Sequence, residues 1–128
     1  MAIRIEVAPG EIIDKLTILE IKRARIGDET KRANVSHEWD VLTRDLDAAV
    51  KSTPELATLR AKLKAINEKL WVIEDDIRDC ERAKDFGAKF VDLARAVYVT
   101  NDERALVKRQ INELLGSSIM EEKSYAAY

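Results

Sequence analysis

The longest apolar pattern in the chain runs through residues 56–80, where apolar side chains recur at alternating spacings of three and four residues. This spacing places the side chains along one side of an α-helix and is typical of a helix that packs lengthwise against other helices. The pattern therefore predicts one long helix within a helical bundle. Its members are Leu56, Leu59, Leu63, Ile66, Leu70, Ile73, Ile77 and Cys80.

The composition agrees with a helical protein and argues against several other classes. Of the 128 residues, 46% are hydrophobic and 36% charged, and four glycines and two prolines leave few turn residues for an all-β fold. A formal charge of −2 argues against a nucleic-acid partner. The chain has neither a membrane-length apolar stretch nor the N-terminal layout of a signal peptide, and its single cysteine suits a reducing compartment. We therefore expect one cytoplasmic domain over residues 1–128 that engages no membrane and no nucleic acid.

Turn and capping residues divide the chain into further helices. The first helix is expected to begin near Glu11 and to end at residues 27–28, and a second is expected to follow as far as about residue 51. Thr53 is predicted to be the N-cap of the long third helix, and Pro54 its first residue. The connecting loops are therefore expected to be short.

Two signals predict a separate final helix. The apolar spacing changes phase near Gly87, which indicates a helix end or a kink. Residues 100–103, TNDE, have the form of a capping box, so another helix is expected to start at Thr100 and to end just before Gly116. These boundaries predict an all-α bundle of four or five helices, with residues 117–128 as a tail of uncertain order.

The first residues of the chain favour self-association. Residues 3–7, IRIEV, alternate apolar and charged side chains, which predicts an extended segment or a short half-buried strand. Such a strand must pair with the C-terminal tail or with a second copy of the chain, or else it is not a strand. The first helix is also apolar on two sides, with Leu16 on one and Ile21 on the other, so it lies either at the centre of the bundle or at a subunit interface. We therefore predict a homo-oligomer, most simply a C2 dimer.

The acidic stretch LWVIEDDIRDCE, residues 70–81, distributes its acids over separate faces of the third helix. One polar set nevertheless lies along the edge of the apolar row. Two interpretations remain open: an ion-paired helix flank with Glu74 and Arg78 at i, i+4, or a partly buried cleft that binds a small anion or a partner helix. The members of this candidate cleft are Asn67, Trp71, Glu74, Arg78 and Glu81.

Cationic residues near Thr100 form a second candidate site, because a helix N-terminus with nearby cations is a common anion site. Asp102 and Glu103 occupy the same predicted first turn and already supply negative charge there. The members of this candidate anion site are Arg95, Asn101, Arg104 and Lys108.

The sequence predicts no catalytic residues, no metal and no cofactor. Glu11-x-x-Asp14 and Asp76-x-x-Asp79 are similar to the paired carboxylates of all-α nucleotide pyrophosphohydrolases, but the Glu-x-x-Glu half of that motif is absent. Glu11 and Asp14 are better explained as first-turn acids that complement the helix dipole. The only histidine, His37, lies opposite the apolar row of its helix, which argues against a di-metal carboxylate site.

Two blocks of the chain resemble a family of short bacterial proteins known only as a domain of unknown function. They are residues 10–26, GEIIDKLTILEIKRARI, and residues 70–125, and their most distinctive words are DKLT at 14–17, EDDIR at 74–78, TNDER at 100–104 and EKSY at 122–125. The resemblance implies a bacterial, intracellular and mostly helical protein. It brings no catalytic residues to this chain.

Two classes of function follow from these observations. The favoured one is a non-enzymatic protein-interaction or scaffold bundle that self-associates, because no acid–base pair, nucleophile or phosphate loop stands out from its structural explanation. The alternative is a small all-α enzyme or ligand-binding protein that acts on a phosphorylated or nucleotide-like metabolite. Its site is expected in the cleft near Glu74 and Arg78 or at the helix start near Asn101.

Overall fold

Four α-helices joined by short loops make up the fold in the computed structural model, which describes all 128 residues. They are α1 at Pro9–Arg25, α2 at Glu29–Ala49, α3 at Pro54–Ala83 and α4 at Ala88–Leu114. The prediction of an all-α bundle is therefore confirmed, with four helices and not five. None of these helices carries an apolar stretch long enough to span a bilayer.

The central position of α1 organises the bundle. It packs against α2, α3 and α4, and α3 also packs along α4, whereas α2 contacts only α1. Neighbours within the same chain therefore cover both apolar sides of α1. The buried core joins all four helices and consists of Ile13, Leu16, Leu19, Leu46, Leu56, Leu63, Ile66, Val107 and Ile111.

The apolar row predicted for the third helix is confirmed in α3. Leu63 is fully buried, Leu56, Ile66, Ile73 and Cys80 are nearly so, and the other members are half-buried. The predicted N-cap is also confirmed, because the Thr53 hydroxyl accepts a hydrogen bond from the Leu56 amide at 3.2 Å. Local capping and apolar spacing thus agree along this helix.

The end of α4 matches the prediction made for Gly116. This glycine has a φ of 63°, and its amide donates to the Glu113 carbonyl at 3.2 Å. The Ser117 amide donates to the Asn112 carbonyl at 2.9 Å, which completes the double hydrogen-bond pattern of a Schellman motif. The chain then turns back toward α4.

The predicted helix start at Thr100 is wrong. α4 runs without interruption from Ala88 to Leu114, and Thr100 lies on its inner face with only 1% of its surface exposed. That face continues to Val107 and Ile111, about two and three helical turns further along, and both residues belong to the core. Packing against α1 and α3 therefore outweighs the local capping signal.

The predicted strand at residues 3–7 is also wrong for the single chain. These residues have no regular secondary structure and form no backbone hydrogen bond with any other residue. Ile3 is 80% exposed and Ile5 75% exposed. The strand is absent because neither the C-terminal tail nor a helix offers an edge with which it can pair.

Candidate functional site

A buried carboxylate lies where α1 meets α4. Asp14, in the second turn of α1, is only 1% exposed. Its Oδ1 accepts a hydrogen bond from Nε of Arg104 at 2.9 Å, and its Oδ2 lies very close to Nη2 of the same guanidinium. This bidentate arrangement is the strongest form of an arginine–carboxylate pair and fixes the orientation of the guanidinium.

Two polar side chains complete the surroundings of this carboxylate. Nδ2 of Asn67, on α3, donates to Oδ1 of Asp14 at 2.8 Å and lies 2.9 Å from Oγ1 of Thr17. The Thr17 hydroxyl donates to the backbone carbonyl of Asp14 at 2.8 Å. We call Asp14, Thr17, Asn67 and Arg104 the polar network. This network links α1, α3 and α4 through one buried carboxylate, whose charge would be uncompensated without Arg104.

The N-terminus of α1 is capped by a residue of α4. Ala8 occupies the N-cap position and has no polar side chain, but Oδ1 of Asn112 accepts a hydrogen bond from the Gly10 amide at 2.7 Å. The helices approach closely here, since a Cβ atom added to Gly10 would lie 2.5 Å from the backbone oxygen of Lys108. Asn112 thus performs from another helix the function of an N-cap side chain.

A pocket of about 1220 Å³ lies between α4 and residues 121–128. Asn101, Arg104, Lys108 and Asn112 line it on the side of α4. Arg104 and Lys108 therefore connect the interior of the bundle with this pocket, because each also contacts a carboxylate of α1. We call this space the C-terminal pocket.

The C-terminal residues are attached to α4 by polar contacts. Glu121 lies 3.1 Å from Lys108, and Glu122 lies 3.3 Å from Arg109. Further along, the Lys123 ammonium lies 2.6 Å from Asp102. The last residue, Tyr128, donates to Asp102 at 2.7 Å and packs edge-on against Tyr98. The tail of uncertain order in the sequence is thus placed antiparallel to α4, with the C-terminal pocket between them.

Arg104 and Lys108, two of the four cations that line the pocket, carry fixed charges. The hydrogen bonds with Asp14 raise the pKa of Arg104 above its ordinary value. Burial by itself lowers the pKa of Lys108, but the hydrogen bonds with Glu11 and Glu121 outweigh burial, so the pKa of Lys108 is also raised. Both side chains therefore remain protonated at neutral pH and suit the binding of anions better than proton transfer.

The structure separates the residues of the first candidate cleft. Asn67 contacts α1 as part of the polar network, whereas Glu74 and Arg78, two and three turns further along the same side of α3, pair with each other at an exposed position. Glu81 lies 3.5 Å from Lys84 at the end of α3, and Trp71 is half-buried. The arrangement around Glu74 and Arg78 is that of an ion-paired helix flank.

The second candidate set is partly brought together. Asn101, Arg104 and Lys108 share one side of α4 and line the C-terminal pocket. Arg95 lies nine residues before Arg104, which corresponds to two and a half helical turns. It is therefore on the opposite side of α4, where it is exposed. The interpretation of this set as a helix N-terminus is wrong, since α4 is continuous at Thr100.

Several residues of the site are missed by reasoning from the sequence. Asp14 is not merely a first-turn acid that complements the helix dipole, because its carboxylate is buried and paired with Arg104. A signal was present in the spacing, since Gly10, Asp14, Thr17 and Ile21 recur at intervals of four, three and four residues and share one buried side of α1. Asn112, by contrast, carries no local signal of its capping contact.

No three side chains of His, Cys, Asp or Glu come together in an arrangement that can hold a metal ion. The carboxylates near the pocket instead contact cations: Asp14 contacts Arg104, and Glu11 and Glu121 contact Lys108. The chemistry that this arrangement offers is hydrogen bonding and charge pairing.

Comparison with protein families identifies the relatives of the chain. The model of a family of unknown function, DUF6165, matches residues 3–128. The chain belongs to the DUF6165 family. The resemblance to a domain of unknown function is thereby confirmed, and it extends over almost the whole DUF6165 protein. No curated protein and no solved structure is detectably similar to it.

Proposed function

We propose that this DUF6165 protein is a non-enzymatic interaction protein that self-associates into a C2 dimer through residues 3–7. The observation that carries the proposal is the state of this segment in the single chain. Ile3, Ile5 and Val7 are exposed, and the backbone groups of the segment have no hydrogen-bond partner within the chain. A segment that alternates apolar and charged side chains and has two free backbone edges is suited to pairing with another strand.

The sequence of the segment is complementary to itself. In an antiparallel pair centred on Ile5, Arg4 of one copy lies opposite Glu6 of the other, and the same contact repeats across the two-fold axis. Ile3 then lies opposite Val7, so the apolar side chains share one face of the pair. Opposite charges across the strands are favourable and like charges are unfavourable, which selects this register.

An exposed apolar side chain, that of Ile119, lies beside the segment and can contact such a pair. Val7 and Ile119 line the same small pocket beside α4, and both side chains remain exposed in the single chain. A two-stranded ribbon alone is marginally stable in water, so contact with the bundle is a part of the proposed interface. Pairing of two copies buries the three apolar side chains of residues 3–7 and satisfies their backbone groups together.

The proposal includes a cytoplasmic location, which the state of the only cysteine supports. Cys80 is free and buried on α3, as is usual for thiols in a reducing compartment. Self-association through residues 3–7 requires no disulfide.

Light scattering after size-exclusion chromatography tests the dimer. We expect the full chain, of 14.5 kDa, to elute with twice that mass at concentrations of tens of micromolar, a range typical of weak to moderate dimers. Deletion of residues 2–7 is expected to give a folded monomer. The deletion stops before Ala8, because this residue is buried and its carbonyl accepts a hydrogen bond from Glu11.

A matched pair of variants distinguishes the segment from apolar surface in general. Replacement of Ile3 and Ile5 by serine is expected to give a monomer. Replacement by serine of Val41 and Val72, two exposed valines on α2 and α3, is expected to leave the dimer intact. A monomeric full chain, or equal dissociation of both double variants, contradicts the proposal.

A further inference from the structure

The C-terminal pocket is large enough for a small-molecule ligand. Its volume of about 1220 Å³ lies somewhat above the 300–1000 Å³ that is typical of sites for small molecules. Residues 121–128 are attached to α4 at both ends, through Lys108 and Arg109 at one end and Asp102 at the other. The segment therefore covers space beside α4 and does not fill it.

Two residues that line this pocket, Arg104 and Asn112, have hydrogen-bond donors that the chain leaves free. Asp14 engages Nε and Nη2 of Arg104, while Nη1 forms no hydrogen bond within the chain. Asn112 uses its Oδ1 to accept from Gly10, so the Nδ2 donors of this side chain are unused. The pocket thus offers a pre-oriented guanidinium and an amide, both held in place by contacts to α1, and such pre-organisation reduces the cost of binding.

Lys108 contributes a cation whose second carboxylate is replaceable. Its side chain is 13% exposed and contacts Glu11 at 2.7 Å and Glu121 at 3.1 Å. Glu11 alone neutralises the ammonium. Glu121 is 67% exposed at its side chain and lies in a segment without secondary structure, so its contact resembles a surface ion pair of small net stability. An anionic group of a ligand can take the place of Glu121 at little cost.

Aromatic side chains line the other parts of the pocket. Tyr98 on α4 packs edge-on against Tyr128, with their ring centroids 5.2 Å apart, and Tyr125 lies in the same segment. Tyrosine rings present flat apolar faces together with a hydroxyl, which suits planar rings that also carry polar groups. Tyr125 is 82% and Tyr128 80% exposed, so the pocket combines cations on the side of α4 with tyrosines at its solvent-exposed rim.

We propose that the C-terminal pocket binds a small organic anion of the nucleoside monophosphate class. The phosphate replaces the Glu121 carboxylate beside Lys108 and accepts from the free Nη1 of Arg104, while the planar base lies among Tyr98, Tyr125 and Tyr128. Asp14 is a positioning residue in this arrangement, because it holds the guanidinium and does not touch the ligand. None of residues 3–7 lines the C-terminal pocket, although Glu6 and Val7 share a small neighbouring pocket with Lys108, Asn112 and Glu121. The proposed ligand contacts therefore do not require the dimer.

Isothermal titration calorimetry of the full chain tests the site, with adenosine monophosphate, inorganic phosphate and adenosine as probes. We expect adenosine monophosphate to bind once per chain with a Kd below about 1 mM, and each of the two fragments to bind more weakly. Lys108→Met, which keeps most of the aliphatic stem, is expected to weaken binding about tenfold or more. Lys89→Met, on an exposed part of α4 outside the pocket, is the matched control and is expected to bind as the wild type does.

Glu121→Gln provides a test that does not depend on a possible loss of folding in the Lys108 variant. It removes the competing carboxylate from an exposed position, so we expect binding to become about twofold to fivefold tighter. No heat from adenosine monophosphate with either the wild type or Glu121→Gln overturns the proposal. Weaker binding by Glu121→Gln, equal binding by the two lysine variants, or binding of either fragment as tight as that of adenosine monophosphate overturns it as well.

Discussion

Arg104 on α4 and Asp14 on α1 pair through two hydrogen bonds, although 90 residues of chain separate them. The carboxylate is buried, whereas 30% of the arginine side chain is exposed. This asymmetry predicts which partner is more costly to remove. An arginine left alone can reach water, but a carboxylate left alone in the interior cannot.

Replacement of Arg104 by leucine is therefore expected to lower the free energy of unfolding by about 3–5 kcal/mol, as for a buried ion pair that loses one partner. Asp14→Asn is expected to cost less, about 1–3 kcal/mol, because the remaining arginine is hydrated. The double variant is expected to recover part of the loss, and urea denaturation measures all three. Arg109→Leu, which removes an exposed cation from the same helix, is the control, and a loss from Arg104→Leu no greater than from this control contradicts the importance of the pair.

Gly10→Ala is expected to destabilise the protein by about 1–3 kcal/mol through overpacking. Its Cβ would meet the Lys108 carbonyl at 2.5 Å and Oδ1 of Asn112 at 2.7 Å, so the contact between α1 and α4 must open. Gly27→Ala meets no atom within 4 Å and is expected to be neutral or stabilising by about 0.4–1 kcal/mol. Thermal unfolding followed by circular dichroism compares the two, and equal melting temperatures contradict the close approach of the helices.

The lowered pKa of Glu20 predicts that the protein loses stability in acid. Burial raises the pKa of Glu20, but hydrogen bonds from Trp39 at 3.1 Å and Arg60 at 3.0 Å, together with the charge of Lys64, outweigh burial and hold it below its ordinary value of 4.5. A pKa that is lower in the folded state stabilises the fold above the unfolded value, and this contribution disappears as the pH falls through the folded value.

The wild type is therefore expected to have a higher free energy of unfolding than Glu20→Gln. This difference is expected to be largest at neutral pH and to shrink as the pH falls below 4.5. Urea denaturation at a series of pH values measures it. Glu68→Gln, at an exposed position of α3, serves as the control and is expected to change stability little at neutral pH. A difference for Glu20→Gln that is independent of pH contradicts this account.

A substitution at Thr100 tests directly whether this residue packs in the interior of a helix or caps the start of one. Its hydroxyl is buried and has no hydrogen-bond partner, so the nearly isosteric Thr100→Val is expected to leave stability unchanged or to raise it by up to about 1 kcal/mol. Thr53→Val removes a genuine N-cap and is expected to cost about 0.5–2 kcal/mol. Chemical denaturation compares the two variants. A similar loss at both positions indicates that a helix does begin at Thr100.

Features that depend on neighbouring residues could be predicted from the sequence. The apolar row of α3, its cap at Thr53 and the left-handed Gly116 each follow from residues within a few positions of one another, and packing agrees with them. The capping box at Thr100 has an equally local form, but it lies on the face that continues to Val107, and the core decides the conformation there. Local signals therefore fail where burial opposes them.

The polar network could not be predicted in the same way, because its partners come from distant parts of the chain. Asn67 and Arg104 contact Asp14 from α3 and α4, across 53 and 90 residues. The four-three-four spacing of Gly10, Asp14, Thr17 and Ile21 marks a buried side of α1 but does not identify what faces it. Similarly, the alternation in residues 3–7 indicates a strand, while the single chain contains no edge to receive it.

Charge exchange within residues 3–7, followed by light scattering, tests the proposed self-association most directly. Arg4→Glu places like charges opposite each other in the antiparallel pair, and so does Glu6→Arg, so each single variant is expected to be a monomer. The double variant restores both opposite-charge contacts and is expected to be a dimer again, whereas Arg44→Glu, at an exposed position of α2, is expected to remain a dimer throughout. Dimers of both single variants, or a double variant that stays monomeric, contradict pairing through this segment.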